Sequence, residues 1–226
     1  MTALRIISLV PSVTETLSAW DRTPIACTRF CERPDLPHVG GTKNPDLKKI
    51  IELSPDLVVL DAEENRLEDH DELVDNNIAV HVLHVLSLDD VDPSMSLLAD
   101  RVGASWTSLA RPPVPPPRIR AFIPIWRRPW MALGTPTYGS SLLLNIGIVN
   151  IYENEGSYPA VDLDDVKRRE PDAVLAPSEP YPFSKRHLVE LAKIAPTTLV
   201  DGKDLFWWGS RTSQALARLT TALRAL

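Results

Sequence analysis

The run Arg5-Ile6-Ile7-Ser8-Leu9-Val10 is short, β-branched and apolar, and it stops at Pro11. Ser12, followed three residues later by Glu15, predicts a capping box opening a helix through about Trp20. Leu47, Ile50 and Ile51 then recur at helical spacing within Asp46 to Leu53, before Pro55-Asp56 and the apolar run Leu57 to Leu60. After an acidic stretch, Leu73 to Asn76 closes a further helix and Ile78 to Val85 reads as a buried strand. Strand alternates with helix, the pattern of a parallel sheet covered by helices, so the expected class is α/β.

The second half follows the same pattern. A strand is expected at Ala121 to Trp126, helices near Ser140 to Leu144 and Lys185 to Lys193, and strands ending near Ala176 and at Thr198 to Val200. The last helix, Ser210 to Leu226, carries Leu216, Leu219, Leu223 and Leu226 as its stripe. Shifting the chain by 116 residues lays Asp46-Leu47 on Asp162-Leu163, Pro55-Asp56 on Pro171-Asp172, Val58 on Val174 and Glu63 on Glu179. This predicts an internal duplication. Between the halves, Met95, Leu98, Val102, Trp106 and Leu109 form one stripe on a helix expected over Ser94 to Ala110, roughly 25 Å long. Arg111-Pro112-Pro113-Val114-Pro115-Pro116-Pro117 cannot continue that helix and reads as a stiff extended strut. The expected organisation is a lobe over 1–92, a bridging helix and polyproline strut over 93–117, and a second lobe over 118–226.

Composition narrows the function. A net charge of −6, from 24 basic and 30 acidic residues, lacks the basic footprint of a nucleic-acid binder. No stretch reaches the roughly 18 apolar residues of a membrane span. As written, the N-terminus has no signal peptide and no lipoprotein cysteine. The expected location is therefore cytoplasmic, or periplasmic or extracellular if the sequence is incomplete at that end. There is no Gly-x-Gly-x-x-Gly, and Val39-Gly40-Gly41-Thr42-Lys43 lacks phosphate-loop spacing. His81 and His84 would point to opposite faces of one strand. Cys27, Cys31 and His38 are too few and too irregular to predict a zinc site, so no resident metal is expected. Tyr138-Gly139-Ser140-Ser141 is not a nucleophile elbow, and Ser140 is read as a helix start. The acidic run Asp61 to Asp75 is either a solvated helix face or a docking surface for a basic partner.

Aromatic residues gather in the second half, with Trp126 and Trp130, Trp207 and Trp208, and Tyr181 and Phe183 in three proline- or arginine-punctuated segments next to expected strand ends. Open α/β sheets bind ligands at such ends, and three aromatic loops suit a wall for a large planar or apolar ligand.

Three segments of the first half are Ile7-Ser8-Leu9-Val10-Pro11-Ser12-Val13-Thr14-Glu15, Val39-Gly40-Gly41-Thr42-Lys43-Asn44-Pro45 and Pro55-Asp56-Leu57-Val58-Val59 with Glu63-Glu64-Asn65-Arg66. Together they resemble the first lobe of the helical-backbone metal receptor superfamily, the cobalamin and ferric-siderophore substrate-binding proteins of ABC importers. The segments around Trp130, Glu179-Pro180-Tyr181 and Trp208-Gly209-Ser210-Arg211-Thr212 resemble the second lobe of its cobalamin-binding branch. The resemblance implies two Rossmann-like lobes joined by a single bridging helix, a periplasmic-binding-protein-like and chelatase-like fold with ligand in the cleft. It implies ligand contacts from Thr42, Lys43, Asn44, Glu64, Asn65 and Arg66, and from Trp126, Trp130, Tyr138, Tyr181, Phe183, Trp207 and Arg211. Glu63 and Glu179, related by the 116-residue offset, would dock an ABC permease or else face the ligand.

The expected protein is a monomeric, non-enzymatic receptor without a covalent cofactor, whose ligand is a corrinoid or, next, a ferric siderophore or haem. Two features depart from the family: no leader precedes the first strand, and the bridging segment is shorter. The alternative is a cytoplasmic tetrapyrrole- or metal-handling enzyme or carrier of the chelatase-like fold, for which His187 with Glu179 is the pair to nominate.

Overall fold

The computed structural model describes residues 4–111 and 113–223, so Met1 to Ala3, Pro112 of the strut and Leu226 of the last stripe lie outside the described residues. The chain forms two compact units. The first is built from 4–85, 89–108 and Trp208–Ser210, the second from Leu86–Leu88, 109–207 and Arg211 onward.

The first unit contains strands β1 (Ile6–Ser8), helix α1 (Pro11–Ala19), β2 (Ala26–Cys27), α2 (Leu47–Glu52), β3 (Leu57–Asp61), α3 (Leu67–Asp75), β4 (Val80–Leu83) and α4 (Val91–Val102). Its strands are all parallel, in the order β2-β1-β3-β4, with Ile7 opposite Val58 and Val58 opposite Val80. All five residues of β3 are buried, the signature of a strand covered on both faces. Ile7, Leu9, Val39, Ile50, Val58 and Leu73 make its core.

The second unit contains β5 (Ile119–Phe122), β6 (Pro124–Trp126), β7 (Met131–Ala132), α5 (Tyr138–Leu144), β8 (Ile148–Asn150), α6 (Leu163–Arg168), β9 (Ala173–Pro177), α7 (Lys185–Leu191), β10 (Thr197–Val200), α8 (Gly202–Phe206) and α9 (Thr212–Ala222). Its parallel sheet runs β10-β9-β5-β8, and β6 pairs antiparallel with β7. Phe122, Tyr152, Val166, Val174, Phe183 and Leu191 are the heart of its core.

The two sheets share one topology. Matching β1, β2, β3 and β4 to β5, β8, β9 and β10 turns the first order into the second. α2 and α6, and likewise β3 and β9, have bounds related by the 116-residue offset. The N-caps Asp46 and Asp162 obey the same offset, accepting the backbone N–H of Lys49 at 3.1 Å and of Asp164 at 2.7 Å. Ser54 and Glu170, with φ of 46° and 49°, repeat even the left-handed residue between helix and strand.

Several expectations are corrected. Ser12 does not cap α1. Pro11 takes the first helical position, where its missing N–H and fixed φ fit, and Val10 becomes the N-cap. Ser140 does not start α5 either, since Thr137 is the N-cap and accepts the Ser140 N–H at 3.3 Å. The strand expected at Ala121 to Trp126 is split between β5 and the hairpin strand β6. The long helix expected over Ser94 to Ala110 is α4, which ends at Val102 because Gly103 adopts the left-handed conformation at φ 63° that closes helices. Trp106 lies beyond it, edge-on to Trp20 and donating its Nε1–H to Asp92 at 2.9 Å. In α9 the buried face is Thr212, Ala215, Leu219 and Leu223, with Leu216 half-buried.

Candidate functional site

In the first unit, the carboxyl ends of β1, β2 and β3 lead into the nominated residues. Gly40, at φ 88°, lets the chain double back so closely that a Cβ there would meet the carbonyl of Asn44 at 2.7 Å and the nitrogen of Asp46 at 2.8 Å. The resulting turn presents Thr42, Lys43 and Asn44, the last two exposed. A second turn follows β3. The buried Asp61 carboxylate accepts the N–H groups of Glu63 at 3.0 Å and Glu64 at 3.2 Å through Oδ1. Its Oδ2 has no hydrogen-bond partner. Burial pushes Asp61 up to about 6, outweighing the pull of the two N–H bonds.

The two turns are joined. Asn65 donates to the carbonyl of Thr42 at 2.9 Å, and Lys43 Nζ donates to the carbonyl of Glu63. Glu64 reaches solvent, yet desolvation by the surrounding protein raises its carboxyl against the opposing charge of Lys43. Thr42, Lys43 and Glu64 therefore form one polar group. Asn65 is buried, its Oδ1 accepting the Asp61 N–H at 2.9 Å, so it holds the turns together rather than facing outward. Arg66 turns to Asp69, with contacts of 2.6 and 3.0 Å.

In the second unit, the β6–β7 hairpin and the loop after β9 assemble an aromatic group. Trp126, 44% exposed, stands edge-on to Tyr181 at 5.7 Å between ring centroids. Tyr181 tilts onto Phe183 at 4.7 Å, and Phe183 stacks on Trp130 at 6.0 Å with an interplanar angle of 8°. Arg127 lies 5.7 Å over Trp130 and donates to Glu190 at 2.8 and 3.1 Å. Phe183 is buried in the core and Tyr138 is buried with its hydroxyl against Thr212 at 3.1 Å, so neither offers an open ring face. Burial also raises the Tyr138 phenol, with the Thr212 hydrogen bond opposing.

A third aromatic position closes α8, the helix that follows β10. Trp207 has the Lys203 ammonium at 5.1 Å and the Arg211 guanidinium at 5.6 Å from its ring centre. Arg211 is held by Asp204 at 3.0 Å, and Arg218 grips the same carboxylate at 2.6 and 2.7 Å. Burial pushes Asp204 up, but the hydrogen bonds and charges of Arg218 and Arg211 outweigh it and leave the carboxyl below its usual value. Trp208 belongs to the first unit and is buried. Arg127, Lys203 and Asp204 were missed in the sequence. Arg127, between Trp126 and Trp130, was the one with a local signal.

Glu63 and Glu179 each stand two residues past the end of their matched strands β3 and β9. His187 accepts the Ser184 N–H at 3.0 Å through Nδ1 and serves as part of the α7 cap. Desolvation, then Arg186 and Arg127, lower its pKa. His84 lies past the end of β4, and among the described residues no group of three or more His, Cys, Asp or Glu is arranged to hold a metal. Cavities of about 330 and 220 Å³ in the second unit, one along α9 with Leu216 and Thr220 and one at α5 with Thr137 and Ser141, include none of the nominated ligand residues.

Two α/β units of matching parallel topology define a two-lobe, periplasmic-binding-protein-like fold. No protein-family model matches the chain, and no curated protein matches it in sequence. Among solved structures, the periplasmic vitamin B12 binding protein BtuF of Vibrio cholerae is similar with a TM-score of 0.80 at 20% identity, over 99% of this chain and 97% of that one. The periplasmic heme-binding protein BhuT, in complex with two hemes, is similar with a TM-score of 0.82 at 18% identity, over 98% of each chain. The periplasmic heme-binding protein RhuT from Roseiflexus sp. RS-1 gives 0.79 at 18% identity, again over 98% of each chain. The fold is thus shared with these periplasmic binding proteins, as the sequence resemblance implied. These similar structures are described as binding proteins and as periplasmic, and they lend nothing to a cytoplasmic location. Among the described residues no helix is long and apolar enough to cross a membrane.

Proposed function

We propose that this chain is a substrate-binding protein for a large metal-containing ligand with a planar or apolar face, a corrinoid first and a haem or ferric siderophore next. The observation that carries the reading is the half-exposed Trp126 edge-on to Tyr181, in one aromatic group with Trp130, over which Arg127 lies. An open indole beside a fixed cation suits a flat macrocycle with acidic or amide substituents. Trp207, with Arg211 held by Asp204, adds a second such pairing. Thr42, Lys43, Asn44, Glu64 and Arg66 are the polar contacts of the same reading. The kinship of fold with cobalamin- and heme-binding proteins supports it.

In this reading the protein carries its ligand without transforming it and delivers it to an ABC permease, with Glu63 and Glu179 as the docking residues. Delivery to an importer places the monomer outside the cytoplasm. The enzymatic alternative has weaker support, because His187 is engaged in capping α7. Calorimetric titration with cyanocobalamin, cobinamide, haemin and a ferric siderophore tests the proposal. Binding of one of them in the micromolar range or tighter is expected, and no binding of any below about 100 μM would sink it.

A further inference from the structure

Cys27 and Cys31 have no part in the proposed ligand contacts, yet the fold buries both in one tight turn. Cys27 ends the edge strand β2, and the chain turns back at once, with the Cys31 N–H donating to the carbonyl of Thr28 at 3.1 Å. Both thiols are free and buried, at 0% and 4% exposure. The neighbouring Cys31 thiol pushes the Cys27 thiol up, and Cys27 in turn helps lower Cys31 to about 6. Thr14 Oγ1 of α1 donates to the Cys31 sulfur at 3.2 Å, and Thr28 Oγ1 lies at 3.2 Å from it. Hydroxyl groups converging on one sulfur in a dry site favour its thiolate, which is the form that reacts with oxidants.

We propose that Cys27 and Cys31 are a reversible oxidation site, a dithiol that a peroxide converts to an intramolecular disulfide. The Cys31 thiolate attacks one peroxide oxygen, breaking the O–O bond and giving a sulfenic acid and hydroxide. The Cys27 sulfur then attacks the Cys31 sulfur, forming the S–S bond and expelling the second oxygen, and its proton completes a water molecule. Two protein thiols are oxidised and one peroxide is reduced to two waters. The disulfide requires the sulfurs to close to about 2.05 Å, across a turn that already joins the two residues.

A small oxidant suits the burial, because bulky disulfides would have to open the site. The surroundings can open locally: β2 is a two-residue edge strand, and Phe30 and Glu32 within and beside the turn are exposed. Arg29, inside the turn, donates its N–H to the carbonyl of Gly40 at 2.9 Å. This bond ties the cysteine turn to the turn that presents Thr42 to Asn44. The disulfide itself does not depend on any ligand reading.

The test treats the purified full chain with hydrogen peroxide, unfolds and alkylates it, and digests it with trypsin without reductant. Peptides 23–29 and 30–43 should be recovered joined through Cys27 and Cys31, and dithiothreitol should separate them and restore two thiols per chain. In Cys27→Ser, the Cys31 sulfenic acid should persist and be trapped by dimedone. Both thiols remaining alkylatable after treatment, or Cys31 advancing to the sulfinic acid while Cys27 stays free, would overturn the proposal. The mapping on the unaltered chain decides the matter even if a serine variant fails to fold.

Discussion

The Asp56 carboxylate accepts the backbone N–H of Arg5 at 2.8 Å, while the Asp56 N–H donates to the Arg5 carbonyl at 2.9 Å. The pair ties the start of β1 to the start of β3. In the second unit Asp172 and Arg120 make the same reciprocal contact at 2.7 and 2.8 Å, tying β5 to β9. In each unit the arginine side chain also reaches back to a carbonyl before the strand, Leu53 and Ser54 in the first and Glu170 in the second. Asp56→Ala and Asp172→Ala should each lower the unfolding free energy by about 0.5–1.5 kcal/mol, read as a drop in the urea midpoint. Equal losses would mean that the duplicated ties carry equal weight.

Asp61 should make the protein more stable in mild acid. Its folded pKa, raised from 3.8 to about 6, means the folded state binds the proton more tightly than the unfolded chain does. Stability contributed by this group is therefore greatest below about 4 and falls as pH rises through about 6. The shift is worth on the order of 2–3 kcal/mol. Asp61→Asn keeps the acceptor for the Glu63 and Glu64 N–H groups and removes the charge. It should flatten stability against pH across that window, as measured by urea midpoints from pH 4 to 7.

Asp204 should have the opposite sign. Its folded pKa is depressed by Arg218 and Arg211 despite burial, so its contribution is present above the usual carboxylate value and is lost as pH falls through the folded pKa. Asp204→Ala should cost about 2–3 kcal/mol, because it leaves Arg211, at 17% side-chain exposure, without its main carboxylate. The same variant should loosen Arg211 over Trp207, visible as a shift in tryptophan emission.

Trp126 separates binding from stability. With 44% of its surface exposed, Trp126→Ala should change unfolding free energy by less than about 1 kcal/mol. On the proposed function it should weaken ligand binding by tenfold or more in calorimetry. Loss of stability with unchanged binding would show Trp126 to be a packing residue.

Residues with a local, periodic signature were readable in the sequence. Asp46 and Asp162, each before an apolar helical run and a Pro-Asp turn, announced both halves of the duplication, and β3 and β9 fell where the apolar runs lie. Features decided by tertiary packing were not readable. Nothing in Tyr138 or Phe183 as residue types tells a ligand-facing ring from a buried one, and only the hydroxyl of Thr212 and the stack on Trp130 decide it. Pro11 and Gly103 carry the decisive local signals: proline at the first turn of α1 outweighs the serine pattern, and the glycine that ends α4 outweighs the apolar stripe. The resemblance implies Asn65 as a ligand contact, while its amide is consumed by Thr42 and Asp61.

The segment Trp208–Ser210 returns to the first unit after the chain has built most of the second. Gly209, at φ 106°, leaves no room for a Cβ beside Thr16, and the Ser210 N–H donates to Thr16 Oγ1 at 3.0 Å. The polypeptide therefore changes unit at 85/86, 88/89, 108/109, 207/208 and 210/211. A gene cut once near residue 110 yields one fragment lacking three residues of its own unit and another carrying three residues that belong elsewhere. Neither duplicated half is therefore a separable part, and the first cannot be completed during synthesis until almost the whole chain has been made.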